Sequence, residues 1–149
     1  FCKQLGADKV IDYRTTEFAS AVRDATDGRG ADVIYDPVGG ETFDAATRCI
    51  ANEGRLLCIG FASGRWGEPR ASHLVQNNYS VMGVMPGSYD RAFKVAAHES
   101  LLEHWQRGRL RVPIHGRIDF EQLPTAINSL SQGKVVGKIA VMLDDVARR

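Results

Sequence analysis

VIYDPVGGETF, Val33 to Phe43, reads as a buried strand that runs into Asp36, turns through Pro37 to Gly40 and restarts as a helix. A strand ending in small residues leaves room for a ligand against bare backbone. The first turn of the following helix carries unpaired N–H groups able to hold it. The stretch therefore predicts a βα turn at the edge of a parallel sheet, and the rest of the chain must supply the neighbouring strands.

On its amino side, KVIDY is short and β-branched and ends at Tyr13. TTEFASAVRDATDG then sets Phe18, Val22 and Ala25 at helical spacing, with Thr15 or Thr16 as N-cap and Gly28 past the end. On its carboxyl side, GETFDAATRCIANEG puts Phe43, Ala46 and Ile50 on one helical face, closed by Gly54 before the strand RLLCIG. A polar, Gly-rich loop from Phe61 to Pro69 leads to a short helix, ASHLVQNN, and a β-rich run, YSVMGVM. Four strands with helices between them predict a parallel α/β sheet. Ser88 then caps a longer helix carrying Phe93, Ala97, Leu101 and Trp105 up to Gly108. From Arg109 the pattern changes to an extended VPIHGRIDF, a helix with Leu123, Ile127 and Leu130, and a strand GKIAVML. This tail closes the same sheet or belongs to a second domain, so two domains are assigned, 1–108 and 109–149.

Composition narrows the function. With 149 residues, 44% of them hydrophobic, the chain can build one ordinary core or one core plus a small appended piece. Nineteen basic residues against eighteen acidic ones, without a clustered run, make no electrostatic case for nucleic acid or membrane binding. No apolar run approaches the roughly 20 residues that span a bilayer. Three widely spaced cysteines, Cys2, Cys49 and Cys58, read as reduced thiols of a cytoplasmic protein. FCKQLGAD looks like the end of a helix capped by Gly6, which suggests that the chain is a fragment.

In open parallel sheets a ligand sits beyond the carboxyl ends of the strands. Those positions here are Tyr13, then Pro37 to Gly40, then Gly60 to Ala62, then Met85 to Gly87. Three of the four ends carry glycine, which suits backbone approach to a nucleotide, and the fourth carries a tyrosine able to stack and donate a hydrogen bond. Glycine is also common in βα turns that bind nothing, so the pattern alone leaves both readings open.

LGADKVIDYRTTEF, ADVIYDPVGGETFDAATRCIANEGRLLCIGFASG and GKIAVML, in that order, resemble the cofactor domain of medium-chain dehydrogenases/reductases, in the zinc-free quinone oxidoreductase branch that includes zeta-crystallin. The resemblance runs from Phe1 to about Asp144. It implies a doubly wound, Rossmann-type sheet, binding of NADPH, and hydride transfer to a quinone or another α,β-unsaturated carbonyl. Carried over by position, Tyr13 falls where the family contacts the adenosine ribose phosphate, and Val38, Gly39 and Gly40 where the backbone passes the adenosine. Ile59, Gly60, Phe61 and Ala62 match the loop on the nicotinamide side, and Val84 and Met85 the strand end beside the carboxamide. These are binding roles, and the resemblance assigns no catalytic residue and no metal ligand here. It also implies a homodimer that pairs across the edge of the YSVMGVM strand. The family's first βαβ unit, with its glycine-rich phosphate turn, would precede Phe1. Strand KVIDY is then expected to lack a neighbour, and the 149 residues alone to be inactive and marginally stable.

Other signals carry less. HESLLEH begins like a zinc motif, but the second ligand position is Leu102, and His104, six residues after His98, lies about 600° round a helix. No C-x-x-C pair exists. Arg65 and Trp66, in a loop at the carboxyl edge, could flank a substrate, and Lys134 and Lys138 could reach a phosphate, but a surface loop and solubilising charges are the preferred readings, and neither pair is taken into the site. Two further classes stay open: a non-catalytic truncated paralogue acting as an association module, and a different α/β nucleotide binder such as a methyltransferase.

Overall fold

A computed structural model describes residues 1–143, and the end of the second assigned domain, 144–149, lies outside them. The contacts divide the chain into two units, one spanning Cys2–Tyr89 and the other starting at Asp90 and including Phe1. The division precedes the long helix, which the sequence reading assigned to the first domain.

The first unit is a partial Rossmann-like sheet. Its strands β1 (Ala31–Asp36), β2 (Ile50–Cys58) and β3 (Ser80–Gly83) lie in the order β1-β2-β3, all parallel. Helices α1 (Phe18–Ala25), α2 (Gly40–Ala46) and α3 (Ala71–Asn77) connect or precede them. Phe43, Ala46, Ile50, Leu56 and Tyr79 form the buried core, with Phe18, Ile34, Leu74 and Val81 packed against it. An apolar face on each helix and on the sheet is what brings these elements together.

The expected strand KVIDY is not a strand. Residues 9–12 have no regular structure, and no strand among the described residues pairs with them. A strand exists only through a partner's hydrogen bonds, so β-branched residues alone do not make one. The first helix is capped by Glu17, not by Thr15 or Thr16: its carboxylate accepts the Ser20 N–H at 2.7 Å. Helix α2 ends at Ala46, before Ile50 and Gly54, which both belong to β2. The ladder pairs Ala31 with Ile50 and then Val33 with Arg55, so the intervening residues leave the register, with Glu53 at positive φ. Ile50 is buried as expected, but from a strand.

In the second unit, helix α4 (Arg91–Gln106) is capped by Asp90, whose carboxylate accepts the Phe93 N–H at 2.8 Å; Ser88 ends the preceding 3-10 turn. Strands β4 (Ile114–Asp119) and β5 (Lys138–Met142) pair in parallel and are linked by helix α5 (Leu123–Ser131). They form a ladder of their own, so the tail does not extend the first sheet by strand pairing. No helix among the described residues is long and apolar enough to cross a membrane.

Candidate functional site

The carboxyl ends of β1, β2 and β3 are level, because Asp36 pairs with Cys58 and Cys58 with Gly83. The three loops therefore leave the sheet side by side. Asp36, 4% exposed, joins the first two: its carboxylate accepts the N–H groups of Val38 (2.9 Å) and Gly39 (3.0 Å), and its carbonyl accepts those of Ile59 (2.9 Å) and Gly60 (3.4 Å). Pro37 O accepts from Ala62 and Val38 O from Ser63, while Val84 N donates to Cys58 O at 3.0 Å. A buried carboxylate satisfied by backbone donors is a strong local tie. It also uses two N–H groups of the turn that leads into α2.

The glycines serve these ties. Gly39 has φ 70°, and a Cβ there would stand 2.5 Å from the Arg65 carbonyl oxygen. A Cβ on Gly60 would meet the Pro37 carbonyl at 3.0 Å. Bare backbone at these turns is occupied by the neighbouring loop. Gly83 is different: a Cβ there would meet nothing within 4 Å.

Three hollows follow one another along this edge. Tyr13, Thr16, Glu17, Glu41, Thr42 and Arg48 border the first, of about 330 Å³. Gly39, Gly40, Glu41, Thr42, Ser63 and Arg65 border the second, of about 300 Å³, so Glu41 and Thr42 belong to both. The third, of about 530 Å³, is lined by Cys58, Ile59, Trp66, Met82, Gly83, Val84, Met85, Ser88 and Tyr89. Its side chains are mostly apolar, with the Cys58 thiol, the Ser88 and Tyr89 hydroxyls and the Trp66 indole N–H among them, and Arg65 and Trp66 are adjacent in the loop that separates it from the second.

Of the residues chosen from sequence, Ile59, Val84 and Met85 thus meet in one cavity, Gly39 and Gly40 border the next, and Tyr13 the furthest. Val38, Gly60 and Ala62 are in the hydrogen-bonded loops, and Phe61 packs on Trp66 with ring centroids 4.4 Å apart. Sequence reasoning weighed Trp66 as a pocket border and left it out of the site. An aromatic a few residues beyond a strand's carboxyl end was the available signal, and an ordinary surface loop gives the same one.

Electrostatics distinguish the two ends. At the Tyr13 end, the backbone N–H and hydroxyl of Ser20, with the Arg48 guanidinium, hold the Glu17 carboxyl down at about 2. At the other end burial, and then the Asp36 charge, raise the Cys58 thiol above its ordinary value. Such a thiol stays protonated and is a poor nucleophile at neutral pH.

The profile of a family described as zinc-binding dehydrogenases matches residues 5–141. Quinone oxidoreductase-like protein 2 homolog of Nematostella vectensis is 32% identical over 143 residues, covering 93% of this chain and 39% of its own length. A quinone oxidoreductase of Pseudomonas syringae pv. Tomato superimposes with a TM-score of 0.82 at 28% identity, over 95% of this chain and 44% of the other. A mycobacterial protein solved in complex with NADPH superimposes at 0.79 and 30% identity, again over 95% and 44%. The chain spans about two-fifths of the length of the curated relatives it matches. Among the described residues no three His, Cys, Asp or Glu side chains converge to hold a metal. On the profile match and the relatives' identity, the chain belongs to the zinc-binding dehydrogenase family, within the medium-chain dehydrogenases/reductases, with quinone oxidoreductases among its relatives.

Proposed function

We propose that the protein carrying this chain is an NADPH-dependent oxidoreductase that reduces a quinone or another α,β-unsaturated carbonyl. The observation that supports it is the run of three hollows along one sheet edge, the first bordered by charged and hydroxyl side chains beside Phe18 and Ala45, the last the largest and mostly apolar. An extended dinucleotide has the same polarity, and open α/β sheets bind such ligands at this edge.

When bound, NADPH supplies the hydride; the acceptor gains that hydride and one proton, and NADP⁺ is left. This chain's part is to bind and orient. Tyr13 and the backbone at Gly39 and Gly40 border the adenosine side. Ile59, Val84 and Met85 border the nicotinamide side in a hollow lined mostly by apolar side chains, and the fit of donor and acceptor there keeps the reacting carbons close. The open space at Gly83 leaves a flat ring room against the strand. The same reading carries a cytoplasmic homodimer contacting through β3, and inactivity of the 149 residues in isolation.

The test is to purify the natural polypeptide that carries these residues and follow NADPH consumption with menadione. Stoichiometric consumption is expected, together with saturable NADPH binding that weakens on Gly83→Leu. A protein that neither binds NADPH nor consumes it overturns the proposal.

A further inference from the structure

The hydride-acceptor reading admits two acceptor shapes, a flat conjugated ring and an acyclic enone, and the third hollow has one feature that separates them. The Trp66 indole borders it opposite no charged group, in company with the thioethers of Met82 and Met85 and the side chains of Ile59 and Val84. Aromatic rings and polarisable thioethers favour a planar π system over a small branched ketone of similar polarity.

The loop that carries Trp66 is held on both sides of it. Before it, Ser63 N donates to Val38 O at 2.9 Å and the Ser63 hydroxyl to Arg65 O at 3.1 Å. The Arg65 guanidinium reaches the Asp44 carboxylate of α2 at 3.1 Å, and the Arg65 carbonyl abuts the Gly39 backbone. After it, Gly67 lies against the Phe43 ring so closely that no side chain fits, and Phe43 is 1% exposed in the core. Trp66 itself is 52% exposed and its ring is backed by Phe61 at an interplanar angle of 34°. An aromatic side chain exposed on a mobile loop would give up its freedom on binding a ligand; here the ties of Arg65 and Gly67 to α2 have already removed much of it.

We infer that Trp66 is a fixed aromatic wall of the acceptor site and makes it selective for planar ring quinones over acyclic enones. The inference rests on the oxidoreductase reading above and deepens it. Trp66 acts by contact with the acceptor, and no proton or hydride passes through it.

Steady-state rates of the natural polypeptide with NADPH and either menadione or mesityl oxide test it, in the wild type, Trp66→Ala and Trp66→Phe. Trp66→Ala is expected to lower the kcat/KM ratio of menadione to mesityl oxide about tenfold, the size of losing one stacking partner, with the loss in the KM of menadione. Trp66→Phe, which keeps a flat ring, is expected to restore most of the ratio. An unchanged ratio in Trp66→Ala, or a loss confined to kcat and equal for both acceptors, overturns the inference. If the wild type consumes NADPH with neither acceptor, the oxidoreductase reading fails, and calorimetric titration with menadione alone decides about Trp66. Binding weakened about tenfold by Trp66→Ala then supports the aromatic wall, and equal or absent binding overturns it.

Discussion

The two units of this chain use the same grammar, parallel strands joined by a helix, and bury very different amounts of it. In Cys2–Tyr89 a three-stranded sheet encloses Phe43 and Leu56, at 1% and 0% exposure, between strand and helix. In the unit from Asp90 a two-stranded ladder and two helices bury only Ala126 among the described hydrophobic residues. Helix α4 repeats Phe93, Ala97, Leu101 and Trp105 at every fourth position, although its apolar residues are less one-sided than those of α1 or α5, and Phe93, Leu101 and Trp105 are all exposed. A repeating apolar pattern states that a face can be buried; only a second layer buries it. Two parallel strands are too few to provide that layer, and three are about the minimum.

Truncation of the stripes gives the sharpest way to break this comparison. Phe43→Ala should cost about 3–5 kcal/mol and Leu56→Ala about 2–5 kcal/mol in urea unfolding, because each leaves a cavity in a closed core. Leu101→Ala, on the exposed face of α4, should stay within about 0.5 kcal/mol. Equal losses at Leu56 and Leu101 would mean that the second unit has a core of its own.

Within the first unit the comparison sharpens at Asp36. Asp36→Ala removes the acceptor of two N–H groups at a buried turn and should cost about 2–4 kcal/mol. It should also loosen the turn at Val38 and Gly39, seen as faster amide exchange there than at Ile59 and Gly60, whose N–H groups bond the Asp36 carbonyl that the substitution keeps. Loss of stability without faster exchange at Val38 and Gly39 would show that the carboxylate is not what holds the turn.

The smallest effect is the pH dependence of α1. Glu17 is held at about 2, below its ordinary 4.5, by the Ser20 N–H first, then the Ser20 hydroxyl and Arg48. A depressed carboxyl stabilises the folded chain above its unfolded value and loses that contribution as pH falls through the folded one. Stability should therefore decline between about pH 4.5 and 2 in the wild type, and Glu17→Gln should flatten that part of the profile. Because the group is exposed, the change is small. An identical acid profile in both proteins would remove Glu17 as the cap.

The turn at Asp36 was legible because its signals are local: an apolar run, a helix-breaking Pro37 and paired glycines leave few other conformations. The same holds for α3, α5, β4 and β5, whose patterns are short and bounded by clear stops. KVIDY failed because a strand is a relation between two segments. Ile50 failed because a residue four past Ala46 suits a continuing helix and an entering strand equally, and pairing with Ala31 decided between them. At the site, strand-end positions were readable and the cavity was not, since Trp66 reaches it only through the ties of Arg65 and Gly67 to α2.

By itself, then, the sequence determined the family and the order of strand and helix from β1 onward. Both follow from local period and from segments matched in order. Tertiary structure decided what the glycines are for, which apolar stripes are buried, and which aromatic borders the apolar cavity. Each of those depends on atoms far apart in the chain coming within contact distance, and no local pattern encodes a distance.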